Sequence, residues 1–147
     1  MRAINNLNIV IPCDNFETQE VIKSAVNYSE PLFIRFGKKP MFKIHSGKQS
    51  FKIGKGIKVK EGRDLVFIAT GETVQRAYQA IEILEKDNFK CTLVSMHTIK
   101  PFDEGLLLQS IKNTKGIITV EEHSESGGLG EKCASILAQK NIKANFK

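Results

Sequence analysis

From Asp64 onward the chain repeats one unit three times: an apolar run of strand length, a turn, and a stretch with helical apolar spacing. The runs are LVFIAT (65–70), CTLVSMHTI (91–99) and GIITVEEH (116–123). LVFIAT is almost continuously apolar, which suits a strand covered on both faces. Val74, Ala77, Tyr78, Ile81 and Leu84 recur at helical intervals after the first run. Leu106, Leu107 and Ile111 follow Pro101 and Asp103, and Cys133, Ile136 and Leu137 follow the glycine-rich SESGGLGE. Serial strand–helix units joined by right-handed crossovers build a parallel sheet with helices on its faces, so the pattern predicts an α/β three-layer sandwich with a mostly parallel sheet. The closing KNIKANFK reads as the start of a fourth strand, which leads us to expect a chain that ends early within its sheet.

The first third reads differently. LNIVIP (7–12) is strand-like. Asp14 or Asn15 can cap a helix over 17–28, with Val21, Ile22, Ala25 and Val26 on one stripe. PLFIRF (31–36) is a second strand-like run. Gly37, Pro40, Gly47, Gly54, Gly56 and Gly62 then break the pattern, predicting an extended connector with one or two short edge strands. Three segments follow: 1–36, a linker over 37–62, and 63–147.

Charge sharpens that division. Residues 1–62 hold eleven Lys or Arg against five Asp or Glu and carry the whole formal +6, while 63–147 balance at eleven and eleven. Residues 31–60 contain nine basic residues and no acid. Such a strip attracts phosphorylated small molecules or nucleic acid, or simply keeps a linker solvated. The chain has few aromatics to stack bases and no recognised nucleic-acid motif, so the solvated linker is the simpler reading. The three cysteines, Cys13, Cys91 and Cys133, are widely spaced among apolar neighbours and read as buried thiols of a reducing, cytoplasmic compartment. No apolar run reaches the roughly 18 residues of a membrane span.

In open parallel sheets ligands sit beyond the carboxyl ends of the strands. Glu121, Glu122 and His123 form the best acid/base cluster there. Successive strand residues point to opposite faces, so Glu122 and His123 are expected to share a pocket only if the chain bends. Gly127 and Gly128 open a helix and suit either anion capture by backbone N–H groups or a tight turn. His45 and His97 have no partner at metal-ligand spacing, so no zinc site is expected. The residues alone describe a domain without a self-sufficient active site.

Several stretches, in order, carry a resemblance. MRAINNLNIVIPCDNFET resembles the MRAIPNLTVIVPADAVET segment of transketolases, and PLFIRFGKKP resembles their PVYIRLGR strand. FKIGKGIKVKEGRDLVFIATG, VSMHTIKPFDE and TVEEHSESGGLGE are similar to the linker and three successive βα junctions of the transketolase C-terminal domain, particularly in short or split-subunit forms. The resemblance implies that 1–36 is a C-terminal remnant of the pyrimidine-binding domain and 63–147 the C-terminal domain. It implies transfer of a two-carbon ketol unit between sugar phosphates, in the pentose phosphate pathway, by an enzyme using thiamine diphosphate and Mg. Arg35 matches the arginine that binds the substrate phosphate, a role suited to a planar, permanently charged fork. No catalytic, cofactor or metal ligand of the family falls in this chain. The expectation is therefore a part that is inactive alone, needs the remaining domains or an N-terminal subunit, forms homo-oligomers, and binds neither nucleic acid nor membrane. Residues 1–36, lacking most of their sheet, are expected to be loosely held, rearranged or paired with another copy. Deoxyxylulose-phosphate synthases and 2-oxoacid dehydrogenase β subunits share the architecture, and a non-catalytic interaction module is the remaining alternative.

Overall fold

A computed structural model describes residues 1–38, 40–46 and 49–147; Lys39, Gly47 and Lys48 of the basic connector lie outside the described residues. The elements run β1 (Asn8–Val10), α1 (Asn15–Ala25), β2 (Leu32–Ile34), β3 (Ile57–Lys60), β4 (Leu65–Ala69), α2 (Thr73–Lys86), β5 (Cys91–Ser95), β6 (Thr98–Lys100), α3 (Glu104–Ile111), β7 (Gly116–Val120) and α4 (Leu129–Gln139). They form a four-stranded sheet of order β3-β5-β4-β7 and a three-stranded sheet of order β2-β1-β6.

β4 is central and pairs in parallel with β5 and β7, Leu65 opposite both Cys91 and Gly116. Because strand side chains alternate, β4 feeds two cores. Val66 and Ile68 join Val94, Leu107, Leu129, Cys133 and Ile136 beneath α3 and α4. Phe67 and Ala69 join Val74, Ala77, Ile81 and Leu93 beneath α2. Cys13, Cys91 and Cys133 are all buried, free thiols. The edge strand β3 runs antiparallel to β5, with a register shift between Lys58 and Lys60. On the opposite side the tail follows β7, where Phe146 bridges in parallel to Ile117 and the Lys147 N–H donates to the Ile117 carbonyl at 3.0 Å.

Two sequence expectations are revised. CTLVSMHTI is two strands, not one: β5 ends at Ser95, and β6 belongs to the other sheet, antiparallel to β1. The apolar run hides the break because Met96 and His97 are themselves fully buried. In α1, Asp14 supplies the cap, accepting the Glu17 N–H at 2.9 Å, but of the expected stripe Val21 is buried while Ile22 and Val26 are exposed.

The split of the second run also fixes the amino-terminal segment. β1 lies parallel to β2 and antiparallel to β6. Ile9 and Ile99 share a core with β4 and α4, while Cys13 and Ile44 share the core under α2. Of the expectations for 1–36 (loosely held, rearranged or paired with another copy), loose holding is revised: Ile9 and Cys13 are packed on the larger sheet.

Asp103 joins the connector to α3. Its Oδ1 caps the helix by accepting the Leu106 N–H at 3.1 Å, and its Oδ2 accepts the Gly56 N–H at 3.2 Å. Removing a cap and a buried acceptor together costs about 2 kcal/mol. Asp103→Ala is expected to lower stability by that amount, read as a reduced urea midpoint with an unchanged m-value.

Candidate functional site

A cavity of about 810 Å³ opens between the three-stranded sheet and the β7–α4 loop. Ile9, Ile11, Phe33 and Ile99 give it an apolar floor, and Arg2, Arg35, Glu121, Glu122, His123 and Glu131 bring charge and hydrogen-bonding capacity to its walls. The sequence candidates Arg35, Glu122, His123, Gly127 and Gly128 all line it.

Arg35 follows β2 directly, and its backbone N–H donates to the Val10 carbonyl at 3.0 Å, so the strand pairing sets where its side chain starts. The guanidinium ion-pairs with the Glu122 carboxylate and lies 3.5 Å from the Glu122 carbonyl. Both side chains are substantially exposed, at 45% and 60%, and an ion pair in that setting contributes about 0–1 kcal/mol. It is easily exchanged for a stronger anion. Arg2 forms a second Arg–Glu pair at the cavity, with Glu131.

β7 stops at Val120 and α4 begins at Leu129, so residues 121–128 form a loop. This is the bend that strand alternation required, and it puts Glu122 and His123 on one cavity. His123 is exposed, its Nδ1 3.0 Å from the Ser124 carbonyl.

The loop carries its own anion. Glu121 accepts the N–H groups of Leu129 at 2.7 Å and Gly130 at 2.8 Å, so a carboxylate of this chain already sits on the positive end of α4. Gly127 has φ +81° and donates to Glu131 at 2.9 Å. A Cβ at Gly128 would run into the Glu121 carboxylate, so that glycine allows the close approach. The glycines shape a turn around Glu121.

A second polar group lies outside the cavity, around the start of α1. His45, Asp14, Glu17 and Ser95 are all buried there. The His45 Nε2 is 3.1 Å from a Glu17 oxygen, and the Cys13, Glu17 and His45 donor atoms lie within 4.8 Å of one another. Sequence spacing gave no sign of this: Cys13 and Glu17 are one helical turn apart, but His45 arrives from the connector. His97 lies nearby, stacked on Phe51 with ring centroids 4.4 Å apart.

The transketolase C-terminal domain pattern matches residues 54–147. The chain belongs to the transketolase C-terminal domain family. It is 36% identical over 143 residues to one of the subunits of an apulose-4-phosphate transketolase from Phocaeicola vulgatus, covering 97% of this chain and 46% of that protein. It is 32% identical to a 1-deoxy-D-xylulose-5-phosphate synthase of Halothermothrix orenii, covering 97% of this chain and 23% of the synthase. Among solved structures, a split-gene transketolase described as an inactive β4 tetramer superimposes with a TM-score of 0.93 at 32% identity, over 99% of this chain and 48% of that one. The chain therefore spans less than half the length of each of these relatives.

Burial holds His97 neutral, with its pKa lowered from 6.5 to about 4; His45 pushes the same way and Asp103 opposes. As pH falls the unfolded chain takes up this proton first, so the contribution is present above 6.5 and is lost towards 4. Between those limits the wild type is expected to lose more stability than His97→Gln, by an amount approaching about 3 kcal/mol at about 1.4 per pKa unit. Urea titrations of both proteins across the window check it.

Proposed function

We propose that this chain is the C-terminal part of a transketolase-like enzyme that moves a two-carbon ketol unit between sugar phosphates, and that Arg35 grips the substrate phosphate. The supporting observation is the cavity itself. It is apolar at its base and carries at its wall an arginine fixed by strand pairing, its guanidinium held by the exposed Glu122 carboxylate and the Glu122 carbonyl. A phosphate dianion offers that fork a stronger bidentate partner than Glu122 does.

The family's cofactor, thiamine diphosphate with Mg, would supply the electron sink for the reaction. The cavity's three carboxylates do not fit a magnesium site: Glu121 and Glu131 are bound to backbone N–H groups and Glu122 to Arg35. We therefore assign both cofactor components to an N-terminal subunit or segment, and no chemical step to the residues of this chain. The partner would complete the short β2-β1-β6 sheet. In this reading 1–36 is the end of a pyrimidine-binding domain, 37–62 the linker and 63–147 the C-terminal domain, working as a cytoplasmic homo-oligomer with that partner. Among the described residues no helix is long and apolar enough to cross a membrane.

A related thiamine enzyme is the second reading, favoured by the synthase match over 97% of the chain. Reconstitution with the partner segment separates the two, since use of pyruvate in place of a ketose phosphate donor would sink the first. In the reconstituted enzyme Arg35→Ala is expected to raise KM for phosphorylated sugars about tenfold or more with a smaller change in kcat, the loss of a charged hydrogen-bonded contact costing about 1.5–3 kcal/mol. Glu122→Gln, which frees the arginine, is expected to lower the same KM. Unchanged kinetics in both variants would remove Arg35 from the site.

A further inference from the structure

The buried group at the start of α1 plays no part in the cavity and has an electrostatic problem of its own. Asp14 and Glu17 are 1% and 0% exposed at their side chains, and among the described residues neither is paired with a lysine or arginine. Asp14 spends its oxygens on the N–H groups of Glu17, Ile44 and His45. Glu17 accepts the Cys13 N–H and the Ser95 hydroxyl, each at 2.7 Å. Neither ring nitrogen of His45, itself 2% exposed, makes an aligned hydrogen bond, although Nε2 is 3.1 Å from Glu17 Oε1. Buried carboxylates beside an unpartnered imidazole form a closed set of donor atoms in which a compact positive charge would be well held.

The donor atoms specify which charge. A thiol sulfur, an imidazole nitrogen and a carboxylate oxygen are the borderline set that suits zinc-type divalent ions rather than calcium or magnesium. Ligands held at about 2.0–2.3 Å in a tetrahedron are roughly 3.3–3.5 Å from one another. The His45–Glu17 separation of 3.1 Å is already close to that value, and the full trio lies within 4.8 Å. Asp14 Oδ2 stands 3.7 Å from Nδ1, on the far side of the ring from Glu17. A carboxylate behind a ligating imidazole is the usual outer support of such sites.

We propose that Cys13, Glu17 and His45 form a buried site for a zinc-type divalent cation, with Asp14 orienting the imidazole from behind. Burial, with the Glu17 charge beside it, keeps the Cys13 thiol protonated in the metal-free chain. Metal entry forms the sulfur–metal bond and releases that proton to solvent. The ion staples the 40–46 segment to the first turn of α1. This site is independent of the assignment of Arg35.

The test uses the full chain stripped with chelator and titrated with Co²⁺, then Zn²⁺. One equivalent of Co²⁺ is expected to bind, give a thiolate-to-metal charge-transfer band in the near ultraviolet, be displaced by Zn²⁺, and raise the melting temperature. Cys13→Ser should abolish the band, and His45→Gln and Asp14→Asn should each weaken binding by at least about tenfold. Absence of stoichiometric binding, a band that survives Cys13→Ser, or affinity indifferent to His45→Gln would each overturn the site. Should a variant fail to fold, X-ray absorption of the zinc-loaded wild type decides instead: one sulfur in the metal's shell supports the site, and none overturns it.

Discussion

Two residues, Met96 and His97, carry the chain from one sheet to the other, and the rest of the molecule depends on that crossing. The Met96 N–H donates to the Ala69 carbonyl at 2.7 Å, which continues the pairing of the larger sheet. The His97 carbonyl accepts the Ile11 N–H at 2.7 Å, which begins the pairing of the smaller one. One peptide bond later β6 lies against β1. Hence the amino-terminal strands are positioned by the register of the larger sheet, and Arg35, at the end of β2, inherits that register. Because the crossing is buried, His97 sits in the core as an uncharged ring, which couples the joint to acidity.

The cavity follows from the same crossing. The smaller sheet faces the carboxyl ends of the larger one, where a strand-to-helix loop would otherwise be open to water. Its charges are balanced locally, arginine against glutamate twice and glutamate against a helix terminus once. The two kinds of pairing differ in permanence. Glu121 is held by two backbone donors that cannot move without unwinding α4, whereas Glu122 holds an exposed side chain that can leave. A newcomer anion thus meets one fixed acidic wall and one exchangeable contact.

Much of this was legible from residues alone, for identifiable reasons. The three βα units announced themselves because strands covered on both faces must be apolar throughout, and because Asp103 caps α3, as Asp14 caps α1 in the amino-terminal segment, where short polar side chains should. The same rule concealed the break in CTLVSMHTI, since a buried crossing is as apolar as a strand. Strand alternation separated Glu122 from His123 only while β7 was taken to extend to residue 123; it ends at Val120. Arg35 reached the site through its resemblance to a family strand, since neighbouring charge gave no reason to choose it among nine basic residues. The Cys13–Glu17–His45 cluster was invisible because spacing rules recognise ligands that are close in sequence, and the imidazole comes from a connector whose path no periodicity describes.

The lysine-bearing strand β3 has one more consequence. It forms the outer margin of the larger sheet, and Lys58 and Lys60 hold their ammonium groups near Glu61 and Glu85. An unpaired sheet margin is a template on which other chains can polymerise, and charged side chains along it raise the cost of such stacking. The opposite margin is covered by the tail beside Ile117. A main sheet with one flank charged and the other covered in this way is guarded against fibre-like growth.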